Sequence, residues 1–529
     1  MHSSNIRKSQ NPVKLKQNNE DSANRDLYTH GFPLMALCIG LCLAVLLVAL
    51  DNTILSAAIP RITDEFQSIN SVGWYVSAYL LTTCAFQLNF GKLYTIFPMR
   101  PVFLFSVLVF EAGSAVCGAA PTSAVLILGR AIAGTGSAGI YSGALVMLAH
   151  SLFLVVGTSE LTPIRHRSFN VHVWYSGSHR SSAGGGFTDH ISWRWCFYIN
   201  LPVGALSVVF IFVFVKPLAH MATSRSWRNT LFNDLDIPGS ATLLPGVVAL
   251  LLALQWGGTD YAWSNGRIIT LFILSARKKG DIATVPPRII LHRSVLSGCV
   301  FSFLLGGSFY TMVYFLPLWF QTIKEVSATK SGIMCIPLLL SMVVLTLLTG
   351  ITITCRGCYV PFFYISAILS SIGAGLLTTL TMETSPAKWI SYQVIYGAGI
   401  GTGFQLAIVA SQDVLSLEDV PVGTALVTFF LTLGGSIFTS VGENVFMNKL
   451  ISSIAQVASE IDPLLVIHSG ARDLRSSLPS GLLAFVQPIY SSALTMAWCV
   501  STALSAASIL GAIGIEWRKL KRPQMVGIA

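Results

Sequence analysis

The sequence predicts an all-α protein that crosses a membrane many times. Hydrophobic residues make up 53% of the chain and charged residues only 11%, whereas soluble domains carry about 25% charged residues. The mean hydropathy is +0.67. Apolar stretches of about 20 residues, the length that spans a bilayer core, recur along most of the chain. These three observations leave no room for a large soluble domain.

Twelve stretches are long and apolar enough to be predicted as spans. Glycine and proline recur within them, as is typical of membrane helices. The small residues of GRAIAGTGSAGIYSGA and YGAGIGTGF predict faces where helices approach closely. The predicted spans cover residues 34–59, 72–93, 101–120, 124–149, 196–216, 238–256, 296–320, 332–354, 359–381, 389–411, 421–442 and 490–515. Residues 445–489 are predicted to be a mainly polar connection with an amphipathic portion, which forms an external, non-catalytic loop.

Two segments are too polar or too short to cross a hydrocarbon core of about 30 Å. Residues 151–183 begin apolar but then carry Arg165, Arg167 and Arg180 among several histidines. Residues 266–280 hold a short apolar run followed by ARKKG. Each of these segments stands where the charge pattern demands a crossing.

The charge pattern follows from the preference of basic loops for the cytoplasmic side. Basic residues cluster near the N-terminus, within 216–228, within 277–293 and within 518–522. Placing all four clusters in the cytoplasm requires one crossing between 150 and 196 and another between 257 and 277. The sequence therefore predicts 14 crossings and two cytoplasmic termini, although its apolar lengths supply 12.

Asp51 interrupts the first predicted span, in the run LVALDNTILSAAIPRI. A carboxylate at membrane depth costs roughly 2.5–3.5 kcal/mol even on a lenient insertion scale. Such a residue is retained when it faces the bundle interior and handles charge. The alternative is an aspartate at a helix end, which reaches the interface or caps the next turn.

Five motifs resemble one family of transporters. The motifs are LDNTILSAAIPRI at 50–62, GWYVSAYLLTTCAFQ at 73–87, LILGRAIAGTGSAGI at 126–140, WRWCFYINLPVGA at 193–205 and DVPVGTALVTFFLTLGGSIF at 419–438. Together they resemble the major facilitator superfamily, and within it the 14-span drug:proton antiporters, which include fungal toxin and multidrug efflux pumps.

The resemblance implies a major facilitator fold, with two six-helix bundles and two extra linker helices. The expected organisation is a polar cytoplasmic tail, an N-terminal bundle whose span at 151–183 is degenerate, a linker with a shortened second span, a C-terminal bundle and a basic cytoplasmic tail. These five parts cover residues 1–33, 34–216, 217–280, 281–515 and 516–529.

GKLYTIFPMR at 91–100 stands where the superfamily has its conformational loop between the second and third spans. Gly91, Leu93 and Arg100 match that loop. Thr95, Ile96 and Met99 occupy the positions where the superfamily usually carries an aspartate and paired basic residues, a pattern associated with the fungal branch.

The antiporters also carry a Gly-Pro-x-x-Gly-Gly motif in the fifth span, and here only the glycines at 184–186 could be its remnant. The polar stretch before them resembles translation in a wrong frame. We interpret residues 151–183 as the product of a faulty gene model or a mis-spliced exon. The alternative is that the stretch is real and that this form transports poorly.

Proton coupling requires a titratable group within the membrane. A carboxyl group surrounded by hydrocarbon holds its proton more tightly than one in water, so it can exchange a proton near neutral pH. Asp51 is the first candidate, and Arg130 is the partner that would bias its protonation. The alternative for Arg130 is a structural role, in which it binds backbone carbonyls. Glu111 is a second candidate carboxylate, which could instead tie helices together.

A substrate pocket is expected near the bilayer midplane, between the two bundles. Aromatic rings and amides suit a flat, amphipathic ligand. The candidate lining residues are Gln87, Tyr79, Trp74, Tyr310, Tyr314, Gln405 and Gln412. Trp319 reads instead as an anchor at the membrane interface.

The leading functional prediction is a proton-coupled exporter of small amphipathic organic compounds, such as a secondary metabolite, toxin or drug. The alternatives are an uptake carrier on the same fold, such as a siderophore importer, and a non-functional mis-spliced form. A membrane enzyme is disfavoured because no catalytic cluster stands out, and a channel because the charges form no repeated filter.

The expected partners are the small-molecule substrate, protons and the lipid bilayer, with no nucleic acid, and we expect a monomer. We expect no metal or cofactor, because the cysteines are scattered without ligand spacing. The expected location is the plasma membrane, with the vacuolar membrane as the alternative.

Overall fold

A computed structural model of the protein describes residues 32–66, 72–156, 192–214, 286–416, 418–457 and 480–518. Within these ranges the chain is helical and forms no strand. Nine of the described helices are long and apolar enough to cross a membrane. The predicted span at 238–256 and the short segment 266–280 lie outside the described residues, as does residue 157 onward of the polar segment 151–183.

The described helices up to residue 214 form a first group. In chain order they are α1 (Phe32–Phe66), α2 (Val72–Ile96), α3 (Met99–Gly118), α4 (Ser123–Val156), the short α5 (Trp195–Tyr198) and α6 (Asn200–Phe214). Its closest packing joins α3 to α4 and α2 to α4, while α1 lies against α6.

The described helices from residue 286 onward form a second group. They are α7 (Pro287–Ile290), α8 (Arg293–Ile323), α9 (Ala328–Met334), α10 (Ile336–Arg356), α11 (Val360–Leu377), α12 (Pro386–Gly403), α13 (Leu406–Val414), α14 (Val420–Val457), α15 (Ser480–Ala507) and α16 (Ile509–Gly514). Three predicted spans in this second group are therefore broken once, at Cys335, at Phe404–Gln405 and at Ser508.

The expected close approach of small residues is confirmed. A Cβ atom added at Gly136 would overlap the backbone of Phe110, so α4 touches α3 through main-chain atoms. Gly399 of α12 meets Ser370 of α11 in the same way. Such small residues let membrane helices pack at van der Waals distance.

Helix α14 is longer than the sequence suggested. The predicted span ends at residue 442 and a polar connection follows, but the helix continues to Val457. Phe446, Leu450 and Ile454 recur every fourth residue and are all buried. This spacing puts them on one helical face. The burial of that face stabilises the helix despite the polar residues between them.

The two groups of helices meet along α2 and α14. Leu81, Cys84, Ala85 and Leu88 of α2 belong to the hydrophobic core of the second group. In return, Tyr310 of α8 packs against the core of the first group. We name the two ends of the bundle after residues that mark them. The Gly91 end is the one at which α2 finishes. The Trp193 end is the opposite one, where Tyr75, near the beginning of α2, clusters with Trp193.

Candidate functional site

Asp51 and Arg130 form an ion pair inside the first group of helices. Arg130 Nη1 donates to Asp51 Oδ2, and both side chains are about 1% exposed. The pair joins α1 to α4. Arg130 follows the beginning of α4 by seven residues, which is about 10 Å along the helix, so the pair lies below the Trp193 end. The sequence predicted both residues.

The remaining contacts of Arg130 come from α2. Its Nε donates to the backbone carbonyl of Tyr75 at 2.9 Å, and its guanidinium carbon lies 4.2 Å from the centre of the Tyr79 ring. A cation over an aromatic face is stabilised by the negative face of the ring. The sequence predicted two alternative roles for Arg130, as the partner of Asp51 or as a structural residue that binds backbone carbonyls. In the structure its side chain makes both contacts. The structure places Tyr79 at the ion pair.

Asn200, the first residue of α6, completes the surroundings of Asp51. Its Nδ2 lies 3.5 Å from Asp51 Oδ1 and 3.2 Å from Ser114 Oγ. Both Asn200 and Ser114 are fully buried. Sequence reasoning did not assign Asn200, although it stands within the motif WRWCFYINLPVGA. That motif was the available signal.

Glu111 of α3 lies near this site but is not bonded to it. Its side chain contacts Gly204 of α6. Both carboxylate oxygens are enclosed, and neither has a hydrogen-bond partner among the described residues. Ser114 stands one helical turn further along α3, so Glu111 belongs to the same part of the bundle as Asn200.

Gln87 lies between the two groups of helices. Its Nε2 donates to Ser142 Oγ of α4 at 2.6 Å and to Thr428 Oγ1 of α14 at 2.9 Å. The Cys84 thiol points to the Phe429 carbonyl, with 3.9 Å between sulfur and oxygen. The structure therefore places Gln87 in direct contact with both groups of helices.

Closer to the Gly91 end, α2 and α14 touch without room for another side chain. A Cβ added at Gly91 would overlap the Ala425 Cβ and would lie 3.3 Å from the Pro421 carbonyl oxygen. Leu93 packs on the core of the first group. Arg100 donates to the carbonyl of Phe212 at 2.6 Å and lies over the Phe212 ring at 4.7 Å. The Gly91 end of the α2–α14 contact is closed.

The aromatic candidates of α8 face α14. The Tyr310 ring packs against Gly435 of α14. Tyr314 lies within electrostatic reach of Glu443 on α14 and of Tyr490 on α15. Glu443 is a carboxylate that sequence reasoning missed, because the predicted span ended one residue earlier. The Phe446 ring lies 5.1 Å from that of Tyr490, so this part of the second group is rich in aromatic surface.

The other candidate lining residues lie in different parts of the two groups of helices. Trp74 is half-buried near the beginning of α2, and Gln405 lies between α12 and α13. Gln412 of α13 donates to Thr424 Oγ1 at 3.3 Å. The expectation for Trp319 is wrong: its side chain is fully buried, and its Nε1 donates to Ser491 Oγ at 3.1 Å.

A cluster of polar contacts lies at the Trp193 end of the first group. Trp193 Nε1 donates to Glu65 Oε2 at 2.6 Å, and Arg194 Nη2 donates to Glu65 Oε1 at 2.9 Å. Glu65 stands beyond the predicted first span. The indole hydrogen bond and then the Arg194 contact lower the pKa of Glu65 below its usual range, because both favour the ionised carboxylate.

Comparison with known proteins supports the family on two grounds. A profile of the Major Facilitator Superfamily matches residues 41–439. The chain is 52% identical over 502 residues to "MFS-type efflux pump MFS1" of Arthroderma benhamiae, an alignment that covers 93% of this chain and 92% of that protein. It is 43% identical over 523 residues to "Efflux pump aflT" of Aspergillus parasiticus, with 95% and 99% covered.

Solved structures agree in fold. The human organic anion transporter MFSD10 matches with a TM-score of 0.54 at 14% identity, over 91% of this chain and 98% of that one. The proton:xylose symporter XylE matches with a TM-score of 0.53 at 12% identity, over 88% and 94%. The helices, the buried ion pair and these matches lead to one conclusion: the chain belongs to the Major Facilitator Superfamily and is a multi-pass membrane transporter.

Proposed function

We propose that this protein is a proton-driven exporter of small amphipathic organic compounds. The observation that carries the proposal is the Asp51–Arg130 ion pair, buried at membrane depth between α1 and α4. Ionisable residues inside a membrane protein mark ion pathways and proton relays more often than structural supports. The relatives named efflux pumps, at 43% and 52% identity, favour export over uptake.

The ion pair offers a simple coupling step. When Asp51 is ionised, Arg130 neutralises it, and the contact holds α1 to α4. When Asp51 accepts a proton, the attraction is lost and Arg130 keeps its contacts with the Tyr75 carbonyl and the Tyr79 ring. Proton binding therefore changes the contacts that hold α1 in place, and a two-state transporter can use such a change to shift its population.

Alternating access requires a contact that opens and closes, and we assign this role to α2 and α14. Their interface is closed at the Gly91 end through Gln87, Thr428 and the Gly91–Ala425 contact. Transporters of this architecture move one bundle against the other around a central site. With both termini in the cytoplasm, as we propose, the Gly91 end would face the cytoplasm and the α2–α14 contact would close the transporter on that side.

The substrate would bind between the bundles, where Tyr310 reaches the core of the first group. Tyr314 lies one helical turn further along α8, within electrostatic reach of Tyr490 and of the carboxylate of Glu443. Aromatic walls with few polar groups suit an amphipathic organic molecule. Gln87, Trp74, Gln405 and Gln412 remain proposed lining residues.

The remaining features of the proposal concern the whole chain. The bundles are assigned to 34–216 and 281–515, joined by a linker at 217–280. The protein acts as a monomer in the plasma membrane with both termini in the cytoplasm, exchanges the substrate for protons, and carries out no chemical conversion.

The test is the direction and energy source of transport. The chain would be expressed in yeast that lack their own drug pumps, and the cells loaded with a panel of cationic, neutral and anionic fluorescent amphipaths. We expect lower accumulation of at least one compound than in cells with an empty vector, and the difference to vanish when a protonophore collapses the gradient. Higher accumulation would show an importer. No change for any compound, with the protein present at the cell surface, would contradict the proposal.

A further inference from the structure

The amide of Asn200 is poised to bond Asp51 in either of its protonation states. Asn200 is fully buried at the beginning of α6, with its NH₂ group 3.5 Å from Asp51 Oδ1 and 3.2 Å from Ser114 Oγ. Its own carbonyl oxygen is enclosed and has no hydrogen-bond partner among the described residues. A buried amide with an unused acceptor is unusual, because native proteins pair nearly all such groups.

The chemistry of the two side chains explains why an unused acceptor is useful here. An ionised carboxylate only accepts hydrogen bonds, while a protonated carboxyl group carries one O–H donor. The NH₂ group that now faces Asp51 suits the ionised form. If Asp51 is protonated on Oδ1, the same position requires an acceptor. Turning the amide by half a rotation brings its free oxygen there.

Ser114 fits both orientations of the amide. A hydroxyl group both donates and accepts, so Ser114 Oγ accepts from the Asn200 NH₂ group in the present arrangement and donates to the Asn200 oxygen after rotation. Arg130 cannot substitute for Asn200, because a guanidinium carries donors only. Within the described part of the chain, Asn200 is the neighbour whose side chain contacts Asp51 and has both a donor and an acceptor.

The ionisable groups around Asp51 come from four helices. Arg130 projects from α4 and Tyr79 from α2, while Cys117 and Cys196, of α3 and α5, lie within electrostatic reach. Glu111 of α3 also interacts with Asp51 through space. Helix α6 carries no ionisable residue, and Lys330 on α9, which also approaches α1, is exposed.

We propose that Asn200 is a positioning residue that holds Asp51 in both protonation states by rotating its side-chain amide. The inference rests on the proposed function, because it takes Asp51 as the proton-binding group. It adds a residue on α6 to the coupling site, and so links proton exchange to the helix that packs along α1.

The experiment is an infrared pH titration of the purified full-length protein without substrate. The carbonyl band of a protonated carboxyl group is assigned to Asp51 by its absence in Asp51→Asn. In Asn200→Leu we expect the midpoint of that band's titration to move up by roughly 0.5–1 pH unit, because a hydrogen bond to the charged form is stronger than one to the neutral form. The band should also move to higher frequency, since the protonated group has lost its acceptor.

Two further variants keep the result interpretable. Asn444→Leu makes the same change at an asparagine of α14, whose Nδ2 donates to the Ser440 carbonyl at 3.1 Å, and should leave the Asp51 band unchanged. Asn200→Asp keeps the shape of the side chain but replaces the NH₂ donor by a second carboxyl oxygen. It places two carboxyl groups side by side, so one of them should hold its proton to distinctly higher pH. This variant decides the matter if Asn200→Leu does not fold.

The outcomes separate the two proposals. An Asp51 band that neither shifts nor changes frequency in Asn200→Leu and Asn200→Asp would overturn the role of Asn200 and leave proton coupling at Asp51 intact. If no band that titrates is lost in Asp51→Asn, the proposed coupling site itself is wrong.

Discussion

Gly91 gives the sharpest test of the closed contact between α2 and α14. In Gly91→Ala, the new methyl group would approach the Ala425 Cβ to well below the 3.5–4.0 Å or so of a normal carbon–carbon contact. The obstructing atoms are the Ala425 Cβ and the Pro421 carbonyl oxygen. Neither can swing away, because the first is bonded directly to the helix backbone and the second is part of it. The two helices must separate by more than about 1 Å to accept the methyl group.

Overpacking of this kind typically costs about 1–3 kcal/mol. If the whole penalty falls on the closed state, the balance between the closed and open states shifts by about 5-fold to 150-fold. Cys84 reports the shift, because its thiol is buried in the same interface against Phe429. In a chain whose other cysteines are replaced by serine, Gly91→Ala should speed the modification of Cys84 by a small maleimide at least about 5-fold.

The structure also supplies a rescue and a control. Ala425→Gly removes the atom that the new methyl group meets, so Gly91→Ala combined with Ala425→Gly should restore slow labelling and transport. Gly375→Ala introduces the same methyl group where the nearest atom outside the local helix, Thr502 Cγ2, is 3.7 Å away, and should change neither. Unchanged labelling in Gly91→Ala, or no rescue by Ala425→Gly, would refute the contact as the moving gate.

Three further predictions follow from the ion pair, the polar cluster and the polar segment. Arg130→Ala should lower stability in detergent by about 3–5 kcal/mol, because Asp51 is left buried and unpaired, and adding Asp51→Asn should recover much of the loss; additive losses would contradict the pairing. Glu65→Gln should lower the unfolding temperature slightly at neutral pH. The pKa of Glu65 is depressed in the folded protein, so its carboxylate stabilises the fold above the unfolded pKa of about 4.3 and loses this effect as the pH falls through the folded pKa. The difference in unfolding temperature between Glu65→Gln and the original chain should therefore vanish at low pH. A difference that persists there would contradict the role of the Glu65 carboxylate. Replacing residues 151–183 by an intact Gly-Pro-containing span should raise surface level and efflux in pump-deficient yeast, since arginines at mid-membrane cost several kcal/mol; equal efflux from the original chain would contradict the mis-splicing interpretation.

The sequence predicted the fold and the ion pair because both depend on strong local signals. A charged residue within an apolar run is conspicuous, and Asp51 and Arg130 each interrupt one. Eleven of the twelve predicted spans fall on described helices, because apolar length alone defines a span. The remaining one lies outside the described residues.

The rest of the site could not be predicted because it depends on contacts between distant parts of the chain. Asn200 lies 149 positions from Asp51, and nothing in its own motif indicates which residue it touches. Gln87 was selected for its amide, but its partner Thr428 is 341 positions away. Glu443 was missed for a different reason: the helix continues through polar residues because its buried face keeps a four-residue spacing.

Trp319 shows the limit of reading a residue by its position in a span. Tryptophan near a span end is typically an interface anchor, yet this one is buried against Trp498, with 6.2 Å between ring centres. Helix α8 extends beyond the predicted end of its span to Ile323, and α15 covers that region. Tertiary packing therefore decided the environment of this residue.

The central claim, that Asp51 couples protons to transport, is tested most directly by Asp51→Asn in reconstituted vesicles with an imposed pH gradient. The amide keeps the size of the side chain and cannot titrate, so gradient-driven movement of a compound that the original chain exports should be abolished, while the protein reaches the membrane at its normal level. Glu383→Gln, the same change at an exposed carboxylate between α11 and α12, should transport normally. If Asp51→Asn pumps normally under the gradient, the carboxylate is structural, the coupling role assigned to it is wrong, and Glu111 becomes the better candidate.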